Sequence, residues 1–427
     1  MTYFPEFRVG RFVSRFLARS SAMFVLLLLP LVARAGEPVR IAYLAPLSGP
    51  FALVFEESLK QFQAAADLVN AKGGVLAGRR LEIVPFDNKG TPQETLTVLK
   101  RVIDQDIRYV AATISSVALA LSDAIAKHNE RNPERRILFL GYDAREPSLT
   151  EAKCNFWHFR FHPHSDMQLE VLTDYIASQP AVRKVYLLNQ DYAWGHSVRR
   201  AAKEMLARKR TDIQIVGDDL IALGKVKDFS SYVTKIAASN ADSVLTSNWG
   251  NDLSLLIRAS QEFGLKAHFY TTHAWVVGTP AAIGSAGADR VKTVMAWHIN
   301  AAGANWEERM LHFEQKYMAI AHMDFLPIWQ TIEMFATAIE RARSAEPLKV
   351  AYALEGMEYH GPAGYSWMRA EDHQIMAPIF ITSLVKAGAP GVKHDNEKTG
   401  LGWKTVLKVE AEKTVPPIRC QMQRPAP

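Results

Sequence analysis

The sequence predicts an α/β protein made of two doubly wound parallel-sheet lobes joined by a hinge of several strands. Three observations carry this. Between residues 39 and 271, short β-type apolar runs alternate with segments of helical periodicity, the pattern of parallel strands covered by helices on both faces. The alternation falls into two blocks, divided near the FWHFR run at 156–160. The roughly 390 residues that follow the N-terminal leader exceed what one hydrophobic core usually covers.

In the first block, 39–45 is a strand with little alternation, 46–50 is a Pro- and Gly-rich turn, and 56–70 is a helix with Leu59, Phe62, Ala66 and Val69 on one face. Gly73 and Gly74 stop that helix. A strand at 81–86, a loop at 87–90 and a helix at 92–104 with Pro92 at its start come next. Residues 108–127 then join a strand (109–114) to a helix through Ser115 and Ser116, with Val117, Ala120, Leu121 and Ala124 at helical spacing. Serine is a favoured N-cap, so the joint reads as strand, hydroxyl-bearing turn, helix. Such a joint presents unpaired N–H groups and a positive dipole end at the carboxyl edge of a sheet, where small anions bind. A strand at 137–140 and a loop at 141–147 close the block.

The second block reads as helix 166–178, strand 184–188, helix 197–208, strand 213–216, helix 229–238, strand 243–246, helix 253–263 and strand 268–271. Strands at 291–297, 364–367 and 379–385 and helices at 306–319 and 327–343 complete the two lobes, the chain crossing between them more than once. The expected boundaries are 36–160 with about 297–375 for the first lobe, 161–296 with about 376–410 for the second, and a C-terminal tail at 411–427.

Residues 1–35 carry Arg8, Arg11, Arg15 and Arg19, an apolar run at about 22–32 and then Ala33-Arg34-Ala35. A basic region, a short apolar core and an Ala-x-Ala end describe a secretory signal peptide, cleaved after Ala35. The apolar run is short of the roughly 20 residues that span a bilayer, and no other run approaches that length, so the protein is expected not to be membrane-embedded. The leader holds five arginines and one glutamate of a chain whose formal charge is +6, which leaves about +2 for the remainder. No Lys/Arg cluster interleaves with aromatics, so nucleic acid is not an expected partner. The two cysteines, Cys154 and Cys420, are free to pair in an exported protein, which would tie the tail to the middle of the chain; two separate thiols are the alternative.

Loops after strands collect the polar and aromatic residues that two facing lobes would bring to one cleft: Ser48, Ser115, Ser116, Asp143, Arg145, Tyr192, Trp194, Trp249 and His273. His162, His164 and His273 lack metal-ligand spacing, and no metal or other cofactor is expected. There is no Gly-x-Ser-x-Gly elbow and no His-Glu-x-x-His, so an enzyme, such as an exported hydrolase, is disfavoured.

The chain resembles the branched-chain amino-acid (Leu/Ile/Val) binding proteins, the type I periplasmic receptors of ABC importers. The resemblance is carried, in the family's order, by IAYLAPLSGP at 41–50, NAKGG at 70–74, YVAATISS at 109–116, NQDYAWG at 189–195, KDFS at 227–230 and MRAEDHQ at 368–374. It implies a periplasmic, monomeric receptor that closes over a small carboxylate and delivers it to importer permease subunits. It also implies that Ser115 and Ser116 form the carboxylate-binding turn and that Trp194 and Trp249 close the site from the second lobe. Asp143 and Arg145 stand where the family uses small residues and threonine. His273 stands where relatives that bind α-amino acids place a glutamate against the ammonium group. A histidine beside Arg145 makes the cleft more cationic, which favours an acid without an α-ammonium, aromatic if Trp194, Trp249, Phe51 and Phe55 line it. Asp143 could still accept an ammonium in another geometry. The alternative function is a sensing receptor that feeds a membrane chemoreceptor.

Overall fold

Residues 36–301, 304–319 and 326–426 are described by the computed structural model, so the expected leader and its cleavage point at 1–35 lie outside the described residues. Among the described residues the strands form three sheets. The first contains β1 (Val39–Ala45), β2 (Leu81–Asp87), β3 (Tyr109–Ala112), β4 (Leu138–Gly141) and β5 (His158–Arg160), all parallel, in the order β2-β1-β3-β4-β5. The register sets Ile41 beside Ile83 on one side and Tyr109 on the other. β1, β3 and β4 are almost wholly buried, which explains their unbroken apolar character.

The second sheet repeats the plan with β6 (Lys184–Gln190), β7 (Gln214–Ile221), β8 (Ser243–Thr246), β9 (His268–Thr271) and β10 (Val291–Met295) in the order β7-β6-β8-β9-β10. A small antiparallel sheet of β11 (Glu358–Gly361), β12 (Gly364–Met368) and β13 (Ile375–Met376) precedes β14 (Ile379–Lys386) and β15 (Leu401–Val409), which extend the second sheet beyond β10. These last two run antiparallel, so the second lobe is not built from parallel strands alone.

Helices cover both sheets. Ala52–Ala71 packs against Leu326–Ala342 and β2, and Ser165–Ala177 packs against Ala193–Lys209. Two apolar clusters result, the smaller centred in the second lobe on Leu172, Val185, Leu187, Val198 and Ile381.

Several elements differ from the sequence expectation for physical reasons. The strand expected at 213–216 runs to Ile221, because Asp218 and Asp219 are paired with Arg199, Lys203 and Lys235 on an edge strand. The helix expected from 197 begins at Ala193. Gly195 there is a close-contact residue rather than a breaker: a Cβ would lie 1.8 Å from the Gln190 carbonyl oxygen. β5, β11, β13 and β15 and the helix Pro347–Leu354 were not legible as such; β15 is an edge strand whose outer positions are Lys, Thr and Val.

The chain passes from the first lobe to the second at 160–165, returns after β10 so that Leu326–Ala342 packs on Ala52–Ala71, and passes back from β13 to β14. Arg160, fully buried, organises the crossing. Its Nε donates to Gln374 Oε1 at 2.5 Å, its Nη1 to the Glu146 carbonyl at 2.6 Å, and its Nη2 to Thr150 Oγ1. His373 stacks on Phe159 with ring centroids 3.8 Å apart and meets Glu355 Oε1 through Nε2 at 2.7 Å.

Cys154 and Cys420 form a disulfide across 266 residues of sequence. The tail it secures also accepts a hydrogen bond from Arg369 Nη1 at Pro416 O (2.7 Å), and its Arg424 pairs with Glu355 at 2.6 Å. Closing so long a loop restricts the unfolded chain strongly. Replacing both cysteines by serine is expected to lower unfolding free energy by about 2–4 kcal/mol, read as a fall in denaturant midpoint; an unchanged midpoint would show that the tail contributes nothing to stability.

Candidate functional site

Both parallel sheets carry the order 2-1-3-4-5, which reverses direction between the first and third strands of each lobe. Ligands in such sheets sit outside the strand carboxyl ends at that switch point. The loops after β3, β4, β6, β8 and β9 all reach one cavity of about 70 Å³, several times the roughly 10–15 Å³ one water needs. Ser115, Asp143, Arg145, Tyr192, Trp194, Trp249 and His273 line it. Ser48 and Ser116 do not. Ser48 is exposed and donates to Asp87 Oδ2 at 2.6 Å, while Ser116 is half-buried behind the turn.

The serine turn is built differently from the expected cap. Ile114, at φ 60°, occupies the N-cap position, and no side chain caps the helix Ser115–Arg131. The Ser115 hydroxyl instead accepts the Arg145 backbone N–H at 3.3 Å. The first N–H groups of that helix still lack intrahelical partners, so the turn keeps its anion-binding character without a serine cap.

Arg145 is the centre of the cavity's electrostatics. It is 2 % exposed. Its Nε donates to Asp143 Oδ1 at 2.6 Å, and its Nη1 donates to Gln168 Oε1 and the Thr272 carbonyl, both at 3.3 Å. Its Nη2 is buried and has no hydrogen-bond partner. The guanidinium lies 5.5 Å from the Trp194 ring centroid and 5.6 Å from that of Trp275, within cation–π range. Since Arg145 follows β4 and Thr272 follows β9, this one side chain spans both lobes.

Burial pushes the Asp143 carboxyl up to about 6, against the opposing pull of Arg145. Burial, with Arg145 nearby, holds the His273 and His162 imidazoles well below their usual range. His273 is therefore neutral and adds no positive charge, so the expectation of a more cationic cleft fails at this residue; among the described lining residues the positive group is Arg145. His273 meets Thr272 Oγ1 through Nδ1 at 2.9 Å and packs edge-on to Trp194 at 5.2 Å. His164 caps the helix Ser165–Ala177 by accepting the N–H groups of Asp166 and Met167 at Nδ1.

The aromatic walls are fixed by hydrogen bonds. Trp194 Nε1 donates to the Ser247 carbonyl at 3.2 Å, and Trp249 Nε1 donates to the Tyr192 hydroxyl at 3.0 Å. Gly250, at φ 57°, permits the sharp entry into the helix Asn251–Glu262 that places Trp249. Across the cleft, Phe51 and Phe55 of the first lobe lie 4.3 and 6.3 Å from the Trp249 ring.

The lining also includes Glu57, Ser58 and Gln61, on the helix Ala52–Ala71, together with Tyr142 and Trp275. Sequence reasoning missed them. Glu57 and Gln61, four apart, stand outside the apolar face expected for this helix; the available signal was that they lie on the helix directly after the turn at 46–50.

Two doubly wound lobes with a shared cavity at their switch points are the architecture of a periplasmic solute-binding protein. The sequence pattern of the family described as periplasmic binding protein matches residues 38–389, and the chain belongs to it, within the branched-chain amino-acid type I group. It is 29 % identical over 408 residues to Leu/Ile/Val-binding protein homolog 4 of Brucella melitensis, covering 92 % of this chain and 94 % of that one. The Leu/Ile/Val-binding protein of Escherichia coli is 25 % identical over 234 residues, 55 % of this chain and 61 % of that one. Among solved structures, the closed leucine-, isoleucine-, valine-, threonine- and alanine-binding protein of Brucella ovis superposes with a TM-score of 0.79 at 26 % identity, over 91 % of this chain and all of that one. A Rhodopseudomonas palustris solute-binding protein in complex with 3,4-dihydroxybenzoic acid has a TM-score of 0.75 at 16 % identity, over 88 % of this chain and 98 % of that one; it shares the fold. No helix among the described residues is long and apolar enough to cross a membrane.

The Trp249–Tyr192 bond gives a direct check of the wall geometry. Tyr192→Phe is expected to cost about 1–3 kcal/mol by stranding the buried indole N–H. A double-mutant cycle with Trp249→Phe should return a coupling of about 0.5–3 kcal/mol; additivity would show that the two side chains do not meet.

Proposed function

We propose that this protein is the exported receptor of an ABC importer and binds a small carboxylate between its lobes, without chemistry of its own. The observation that supports this reading is the unpaired Nη2 of Arg145 at the wall of the interlobe cavity. A buried guanidinium with a spare donor costs free energy until an acceptor meets it, and a carboxylate is its natural acceptor. The start of the helix Ser115–Arg131 supplies further N–H groups beside it. In this reading the leader at 1–35 is removed near Ala35, the protein acts as a monomer in the periplasm, and permease subunits receive the closed form. The lobes, 36–160 with about 297–375 and 161–296 with about 376–410, rotate about the crossing strands. Contacts from both lobes to the solute favour the closed state by their differential affinity.

Thermal melting against pairs of small acids and their primary amides tests the anion requirement without altering the protein. At 100 times Kd the acid is expected to stabilise by about 2.7 kcal/mol, seen as a rise in Tm, while the amide leaves Tm unchanged. Equal stabilisation by an acid and its amide would remove Arg145 from the reading.

A second expectation comes from Asp143, whose proton leaves at about pH 6. Below that pH the neutral acid leaves the Arg145 charge uncompensated; above it, the carboxylate competes with the solute. Affinity for an anionic acid should therefore rise between pH 8 and pH 5.5, by about tenfold if binding shifts this group by one unit. Asp143→Asn should flatten the dependence, and a slope that persists in the variant assigns it to another group.

A further inference from the structure

The cavity has a second group of polar lining residues, Glu57, Ser58 and Gln61 on the helix Ala52–Ala71. Two acids line the cavity, Asp143 and Glu57, and each already faces a protein cation: Arg145 Nε at 2.6 Å from Asp143, and Lys60 Nζ at 2.5 Å from Glu57. One turn beyond Glu57, Gln61 is 6 % exposed. Its side-chain oxygen is buried and accepts no hydrogen bond. A buried acceptor in that condition is costly in a folded protein unless something else supplies the donor. Because Gln61 lines the cavity, the solute is in position to do so.

We propose that Gln61 is a specificity-determining residue that accepts a hydrogen bond from a hydroxyl at the far end of the solute, which makes the solute a hydroxy-substituted aromatic carboxylate. This assignment rests on the carboxylate reading above and refines it. A hydroxyl fits better than an ammonium group for an electrostatic reason. A neutral amide oxygen can satisfy one O–H, but it cannot offset the desolvation of a buried cation. The two carboxylates that could do so are engaged by Arg145 and Lys60. The ring follows from the walls: Phe55, Tyr142, Trp194, Trp249 and Trp275 line the cavity, and aromatic side chains favour offset or edge-on contact with another ring.

Isothermal titration calorimetry on the mature protein, with benzoate, 3-hydroxybenzoate, 4-hydroxybenzoate, L-leucine and L-phenylalanine, tests the assignment. One of the hydroxybenzoates is expected to bind at least about tenfold more tightly than benzoate, the equivalent of one hydrogen bond. In Gln61→Met, of similar length and without the acceptor, that ratio should fall to about one while benzoate binding persists. Equal affinities in the natural protein overturn the assignment whether or not the variant folds, as does a ratio unchanged in Gln61→Met. Binding of leucine or phenylalanine without either hydroxybenzoate overturns it and leaves the carboxylate receptor standing. Binding of none of the five overturns it as well. Failure of the receptor reading is separate: it would appear as benzamide binding as tightly as benzoate.

Discussion

A guanidinium held between two sheets, away from water, loses several kcal/mol of hydration that its surroundings must replace. Arg145 recovers part of this through Asp143, Gln168, the Thr272 carbonyl and two indole faces, and it leaves one nitrogen, Nη2 with its two N–H groups, without an acceptor. The rest of the site depends on that shortfall. Asp143 is held near Arg145 but is buried enough that its proton leaves only at about pH 6. His162 and His273 stay neutral because a charge beside Arg145 would compound the cost of burial. The indoles of Trp194 and Trp249, both of which line the cavity, are tied by their N–H groups.

The two sheets make this placement unavoidable. With strand order 2-1-3-4-5 in each lobe, the loops after the central strands diverge and leave a crevice at the carboxyl edge. Set edge to edge, the two crevices become one chamber, and residues far apart in sequence meet there: Ser115, Arg145, Trp194, Trp249 and His273. Arg145 then reaches from the first lobe to the Thr272 carbonyl of the second, so the group proposed to meet the anion also bridges the cleft. In the closure proposed above, capture of the anion and engagement of the second lobe are parts of one event.

Much of this was legible in the sequence because burial on both faces removes alternation from parallel strands, as in β1 and β3. Their regular spacing then fixes which loops share an edge. The order of motifs from IAYLAPLSGP to MRAEDHQ placed the serine turn and the two tryptophans. What escaped was set by tertiary contact. Nothing local distinguishes Ser115, which meets the Arg145 N–H, from Ser116, one residue on and half-buried. Gln61 and Glu57 look like ordinary surface residues in the sequence, and only the fold buries them at the cavity. β15 reads as a polar edge because Lys404, Thr405 and Val406 are exposed in succession. The charge state of His273 could not be read from its type, since depth of burial decides it.

The molecule holds two buried arginines whose comparison separates scaffold from site. Arg160 and Arg145 are equally removed from solvent, at 0 % and 2 % exposure. Every nitrogen of the Arg160 guanidinium donates, to Gln374, to the Glu146 and Ala144 carbonyls and to Thr150. Its partners come from segments on either side of the lobe crossing, so it holds the crossing in register and has nothing left to offer a solute. Arg145, which lines the cavity, is anchored with the same care through Nε and Nη1, yet its Nη2 is left without an acceptor. A fully satisfied buried cation is a structural tie. One with a nitrogen left unpaired beside a cavity is, in the reading proposed above, the group that awaits the solute's carboxylate.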